Sequence, residues 1–301
     1  VLIGDHKQLP AVVQQTEEEA SVTDEGLRTI GLTDCRLSLF ERLLSRFRTA
    51  DGYDPRFVYM LTRQGRMHSQ IADFPSLAFY SHKLQPVPLP HQTAPLQTTT
   101  STHGIARMLT THRLAFVCSE RPTQIASPKT NDVEARMIAS IAYQAYLLCG
   151  DHFDTEQSIG IIVPYRNQIS AIRNAIDQYG ISELHNISID TVERFQGSQR
   201  DYIIYGFTIQ QRWQLNFLSS NTFKEEGAWI DRKLNVAMTR ARLQLTLVGN
   251  PQLLAHNTTF SQLMQYSRSQ GAFLQVDTER FCRGDFKVQS RPDGLSAAQE
   301  E

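Results

Sequence analysis

Four polar segments combine glycine, amide and basic side chains in ways suited to holding phosphate. The first, Gly4-Asp5-His6-Lys7-Gln8-Leu9-Pro10, follows the apolar triplet Val1-Leu2-Ile3. A glycine allows a sharp exit there, and the Asp5 carboxylate and Gln8 amide could hold a phosphate or its attacking water; an ordinary Gly-Asp turn is the competing reading. The second, Gln64-Gly65-Arg66-Met67-His68, carries an arginine at the end of an expected strand, where a guanidinium fork matches two phosphate oxygens; a surface salt bridge is the alternative. The third, TVERFQGSQRD from Thr191 to Asp201, is a polar turn between apolar strands. Its backbone amides and the Thr191 hydroxyl could take a nucleic-acid phosphate without reading a base, or simply connect. The fourth, RKLNVAMTRAR from Arg232 to Arg242, reads as a short helix that delivers Arg240 just before a strand. That arginine suits either the helix dipole or a cleft in which a phosphoryl group is transferred.

These segments need a frame, and the apolar pattern supplies one. Val1 to Ile3 and Phe57 to Leu61 read as strands, with a polar, acidic connection from Gln14 to Glu25 between them. Phe40, Leu43, Leu44 and Phe47 recur at helical spacing and predict one apolar stripe. The stretch Gln85 to Gly104, with Pro86, Pro88, Pro90 and Pro95, predicts a long surface connection and a domain seam. From Leu114 strands and helices alternate. Strands are expected at Leu114–Val117, Ile159–Val163, Ile187–Thr191, Asp201–Thr208 and Leu243–Val248, and helices at Asp132–Leu148, Asn167–Tyr179 and Arg232–Arg240. Alternation of this kind predicts an α/β fold with a mainly parallel sheet covered by helices on both faces. Ligands bind outside the carboxyl ends of such strands, which puts weight on the loops after Ile3, Val163 and Thr191. The polar tail beyond Arg283 is expected to fray.

Composition narrows the class. The 301 residues are 41% apolar, enough for one large core or two modest ones. A formal net charge of −1 means that any nucleic-acid surface is a local stripe and not a global basic field. Cys35, Cys118, Cys149 and Cys282 have neither C-x-x-C nor disulfide-framework spacing and read as free thiols of a reducing compartment. No apolar run reaches bilayer length and no leader opens the chain, so a cytoplasmic protein with no membrane partner is expected. The chain opens on Val1 inside what reads as a strand, and is expected to begin in the middle of a domain.

Taken in order, the segments resemble the later motifs of superfamily 1 helicases, in particular the group that serves nonsense-mediated mRNA decay and DNA replication. The sequence has GDHKQLPA, QGRMHSQIADFPS, PYRNQ, TVERFQGSQRD and LNVAMTRAR where the family has approximately G-D-x-x-Q-L-P-P, Q-Y-R-M-x-x-x-I-x-x-F-P-S, P-Y-x-x-Q, V-D-x-F-Q-G-x-E-x-D and L-N-V-A-x-T-R-A. The likeness runs from Gly4 to about Asn250. It implies a RecA-like P-loop NTPase fold: the end of a first RecA-like domain at 1–84, a connecting loop at 85–112, a second RecA-like domain at 113–270 and a tail at 271–301. ATP, with Mg²⁺ held by residues upstream of this chain, would bind between the lobes, and the N-terminal RecA-like domain of the same parent would be a partner. Gln8, Arg66 and Arg240 would be catalytic, Gln8 sensing the terminal phosphate and Arg240 in the arginine-finger role. Gly4, Asp5, Gln64, Arg66, Gly197, Gln199 and Arg240 would line the nucleotide. Pro164, Tyr165 and Thr191 would lie along single-stranded DNA or RNA.

Three departures shape that expectation. No G-x-x-x-x-G-K-S/T loop is present, and no Gly-Lys pair at all, so the phosphate cradle is expected upstream and this piece alone is expected to be inactive. Gly65 stands where the family has a tyrosine that stacks on the base, and Gln199 where it has a glutamate. The leading expectation is the motor half of an ATP-dependent translocase. The alternative is a scaffold or nucleic-acid-binding module that kept the fold and lost the motor; a motor coupled to a nuclease elsewhere in the parent is a third.

Overall fold

The computed structural model describes residues 1–50 and 52–290. They divide into two compact units, Val1–Thr62 and the residues from Arg63 onward. In the first unit, short helices at Glu17–Ala20, Glu25–Thr29 and Leu39–Arg46 begin at Thr16, Asp24 and Ser38. The side-chain oxygen of each accepts from the backbone N–H three residues on. Thr16–Glu19 and Ser38–Glu41 close reciprocal capping boxes, which is why part of the expected acidic connection is helical. Phe40, Leu43, Leu44 and Phe47 belong to the third helix and its C-cap, as their spacing predicts, although none is fully buried.

Two expected strands are corrected. Val1 to Ile3 form no strand and are exposed, and Phe57 to Leu61 run from the end of a turn without regular secondary structure, with Phe57, Tyr59 and Leu61 in solvent. Neither run pairs with a neighbouring strand among the described residues, and an apolar run becomes a buried strand only where a ladder and a covering face receive it.

The second unit is built on a six-stranded sheet. Its strands are β1 (Leu114–Cys118), β2 (Ile159–Val163), β3 (Ser188–Thr191), β4 (Arg200–Gly206), β5 (Ala241–Gly249) and β6 (Phe273–Leu274). Every pairing is parallel, in the order β6-β1-β5-β4-β2-β3. All five residues of β1 and of β2 are buried, so both faces of the sheet are covered. The principal covering helices are α1 (Ser69–Phe79), α2 (Asp132–Cys149), α3 (Arg166–Asp177), α4 (Gln214–Leu218), α5 (Arg232–Met238) and α6 (Thr258–Ser269). Asn131 caps α2 by accepting from the Glu134 N–H, and Gly150 ends it at φ +52°. Gly160 in β2 permits a close approach: a Cβ there would stand 2.8 Å from Arg200 Cγ and 2.9 Å from Phe195 Cε1.

Residues 63–84 pack into this unit through His68 N–H to Arg242 O (2.8 Å) and Asn235 Nδ2 to the Tyr80 hydroxyl (2.8 Å). The expected bare connection from Gln85 is partly ordered. Gln85–Pro86 pairs with Arg63–Gln64, and Pro90–Thr93 is helical around a fully buried Gln92. Part of the expected tail at 271–301 is ordered. β6 extends the sheet, Phe273 stacks on Phe116 at 5.4 Å, and Thr278–Arg283 is a helix; the expected fraying of residues 291–301 lies outside the described residues. No described helix is long and apolar enough to cross a membrane.

Ile161 sits in the middle of β2 with no exposed surface, packed within the main hydrophobic core. Ile161→Ala is expected to cost about 3 kcal/mol of unfolding free energy, read as a lower urea midpoint with an unchanged slope.

Candidate nucleotide and nucleic-acid site

The Gln64–Met67 turn is stapled from within. Gln64 Oε1 accepts from Arg66 N–H (3.0 Å) and Met67 N–H (2.8 Å), and Gln64 Nε2 donates to Met67 O (2.9 Å). Buried Gln92 donates to Gln64 O (2.8 Å) and Met67 O (3.1 Å), and His91 Nε2 meets Arg66 O at 3.0 Å. Arg66 thus leaves a rigid turn. Its Nε donates to Gln199 Oε1 and one terminal nitrogen to Thr239 O, both at 3.0 Å. Both acceptors are neutral. Desolvation accordingly lowers the Arg66 pKa with no carboxylate to oppose it, and its second terminal nitrogen donates to no protein group among the described residues.

Arg240 lies beside this cluster but points inward. Only 2% of it is exposed; Nε donates to Val236 O (3.1 Å), one terminal nitrogen to Ser198 O (3.4 Å) and the other to the Thr239 hydroxyl (3.2 Å). Arg240 O in turn accepts from Arg200 N–H at 3.0 Å. Gly197 supplies the turn between β3 and β4, at φ +88° with open space where a side chain would be. Gln64, Arg66, Gly197-Ser198-Gln199 and Arg240, far apart in the chain, therefore form one cluster at the C-terminal end of α5.

A second cluster occupies the other end of α5. Pro164 and Tyr165 follow β2, and Tyr165 is 8% exposed because its ring lies against Phe217 (5.0 Å, 17° between planes). Burial raises the Tyr165 phenol pKa against the opposing hydrogen bond from Gln214 Nε2, which donates to its hydroxyl at 3.3 Å. Lys233 stands 4.1 Å from the Phe217 ring centre, donates to Phe217 O (3.3 Å) and lies 3.6 Å from Glu193, two residues beyond buried Thr191. Helix α5 has seven residues and so spans about 10 Å between the clusters. Its cap, Asp231, has no exposed surface and accepts from Leu234 N–H at 3.0 Å; burial pushes its carboxyl up to about 6.

In the first unit, Asp5 to Gln8 make a turn closed on the Asp5 carboxylate, with Gly4 directly before it against the Phe40 ring. Lys7 N–H and Gln8 Nε2 each donate to the carboxylate at 3.0 Å, and Gln8 N–H donates to Asp5 O at 3.1 Å. Gly65 is exposed, lacks a positive φ, and a Cβ there would meet only Leu89 Cδ1 at 3.4 Å. Its backbone does not require glycine.

Sequence reasoning missed Gln92, Gln214, Lys233 and Glu134. Glu134 is the least expected: fully buried, it accepts from Thr208 N–H (2.7 Å) and meets the Ser119 hydroxyl (3.1 Å). The Asn131-x-x-Glu134 spacing at a helix start was the available signal, though it predicts an exposed capping carboxylate.

The AAA-domain family matches residues 35–252. The chain belongs to this family, the C-terminal RecA-like part of superfamily 1 helicases of the nonsense-mediated-decay and DNA-replication group. The parallel sheet with its flanking helices is that fold. A probable helicase of Dictyostelium discoideum is 29% identical over 93% of this AAA-domain chain and 25% of its own length. The ATP-dependent helicase NAM7 of Saccharomyces cerevisiae is 30% identical over 94% of this chain and 26% of its own. The DNA polymerase alpha-associated DNA helicase A of the same yeast is 30% identical over 84% and 34%. The chain thus spans about a quarter to a third of the length of these relatives.

Glu134 gives the domain a pH signature. Desolvation raises its carboxyl from 4.5 to about 8, against the lowering effect of hydrogen bonds from Thr208 and Ile209 N–H and the Ser119 hydroxyl. Between those values the folded protein holds a proton that the unfolded chain has released, so stability falls as pH rises through the window. Asp231 adds to the fall below its own value of about 6. Glu134→Gln keeps the neutral hydrogen-bonding pattern. It is expected to flatten the drop in melting temperature between about pH 5 and about pH 8.5; an equally steep drop in the variant would remove Glu134 from this role.

Proposed function

We propose that the chain is the C-terminal motor half of an ATP-dependent nucleic-acid helicase, coupling ATP hydrolysis between two RecA-like lobes to movement on single-stranded DNA or RNA. The observation that carries this reading is Arg66: a half-buried guanidinium with only neutral acceptors, held by a rigid turn, with a terminal nitrogen available to an anion. A buried cation without a carboxylate is costly unless an anion arrives, and a nucleotide phosphate fits the fork.

When bound, ATP would supply the phosphoryl group that passes to water. Arg66 would grip its phosphates, and Gln199 and Thr239 would orient that grip through their 3.0 Å bonds. Arg240, bonded to Ser198 and Thr239, would join only after its inward contacts exchange for a phosphate oxygen. Any displacement of Thr239 is a displacement of the C-terminal end of α5, whose first turn carries Lys233 against the Phe217 ring that stacks on Tyr165. That seven-residue rod supports a mechanical link between nucleotide and polymer. Gly4, Asp5 and Gln8 would serve the same nucleotide, with the Gln8 amide sensing its terminal phosphate.

ATP turnover by the full-length protein, measured with and without single-stranded DNA and RNA, tests the reading. Stimulation by at least one polymer is expected. Arg66→Ala is expected to lower kcat/KM about a hundredfold, and Arg240→Lys, which keeps the charge but loses the guanidinium fork and its bonds to Val236, Ser198 and Thr239, to lower kcat by about a thousandfold, with turnover read below the melting temperature of the variant. Unchanged turnover in both variants, or a folded ATPase that neither polymer stimulates, would overturn it. Because the Gly65 backbone accepts a side chain, Gly65→Tyr is expected to lower the KM for ATP, by about tenfold if the added ring stacks on the base.

A further inference from the structure

Thr208 is a strained residue just beyond the carboxyl end of β4. It follows β4, is fully buried, and has φ +50°, a left-handed conformation that β-branched residues rarely adopt. Such a residue persists only where its surroundings over-determine it, and it marks a place to look for function. Two side chains from different helices clamp it. Thr208 N–H donates to Glu134 of α2 at 2.7 Å, and Thr208 O accepts from Gln214 of α4 at 3.3 Å.

Gln214 does more than close that clamp. With no exposed surface, it accepts from Gln210 and Gln211 N–H (2.9 and 3.0 Å) and donates to Pro128 O (2.7 Å) and the Tyr165 hydroxyl (3.3 Å). Gln210 donates to Ser127 O (3.0 Å) and Thr130 O (2.7 Å), and Gln168 exchanges two bonds with the Asn131 backbone (2.7 and 2.9 Å). One amide thus ties together the chain that leaves β1, β2 and β4 at their carboxyl ends, where a parallel sheet presents its ligands. The tied segment after β1 carries the exposed cations Arg121 and Lys129.

We propose that Gln214 is a positioning residue for polymer contact: by clamping the left-handed Thr208 turn it holds Tyr165 and the Arg121–Lys129 segment in one arrangement that fits the backbone of a single strand. This rests on the nucleic-acid reading above. It adds that the arrangement is maintained against backbone strain by a buried neutral amide, so that loosening the amide loosens the grip. A glycine at 208 adopts the same turn without strain and removes the need for the clamp.

The test measures binding of this chain to fluorescent single-stranded oligo-dT and oligo-U by anisotropy, with amide hydrogen exchange on the same samples. Gln214→Met keeps the side-chain volume and removes the hydrogen bonds. It is expected to weaken binding about tenfold and to expose the Gln210 and Gln211 amides to exchange. Thr208→Gly is expected to bind as the parent does, and the double variant to recover most of the lost affinity. Loss of exchange protection with unchanged affinity would overturn the proposal, as would a double variant that binds no better than Gln214→Met. If Gln214→Met alone melts below the assay temperature, the double variant decides: affinity near that of Thr208→Gly supports the clamp, and weak binding overturns it. Failure of the unsubstituted chain to bind either strand would overturn the nucleic-acid reading and this role together. The exchange data would still separate that result from a missing clamp.

Discussion

Helix α5 has almost no solvent face, and the second unit is organised around that burial. Lys233 through Met238 are all buried, so the helix cannot slide or tilt without displacing core side chains packed at interior density. Its first turn is anchored by a buried carboxylate and its end runs through Thr239 and Arg240 into β5. The Arg66 cluster at one end and the Tyr165–Phe217–Lys233 cluster at the other therefore share one rigid body of about two turns. Their separation and relative orientation are set by helix geometry instead of by loops.

Within this frame the polar connections are mostly amides. Gln64, Gln92, Gln168, Gln199, Gln210 and Gln214 each join two or more segments distant in the chain or bridge a turn. A primary amide offers donors and acceptors together without the desolvation cost of a buried charge, so it satisfies backbone groups in the interior more cheaply than an ion pair would. One consequence is electrostatic: with neutral partners throughout, Arg66 keeps its charge uncompensated. Gln199 fits that logic, since it holds the guanidinium by the geometry a glutamate would use but without neutralising it.

The buried acids work differently. Glu134 and Asp231 each serve a backbone N–H at a helix start or strand end, and burial holds both above the ordinary carboxylate range. Their protonation links the strand ends to pH, and at Glu134 the same carboxyl holds the N–H of a left-handed threonine.

The run Ile159 to Val163 was legible as a strand to the residue, and α2, α3 and α5 to within one or two residues, because each carries a period or an uninterrupted apolar run that local chemistry reads alike in any context. The motif order pointed to the family, since spacing along the chain is a property of the sequence itself. Val1 to Ile3 and Phe57 to Leu61 have strand composition yet remain exposed, because burial requires a partner ladder that composition cannot specify. Only the tertiary structure brought Arg66, Gln199 and Arg240 together, turned Arg240 inward, covered Tyr165 with Phe217 and clamped Thr208 with Glu134 and Gln214. Each of these depends on which strand ends the sheet order places side by side, and that order is settled by packing across the whole core.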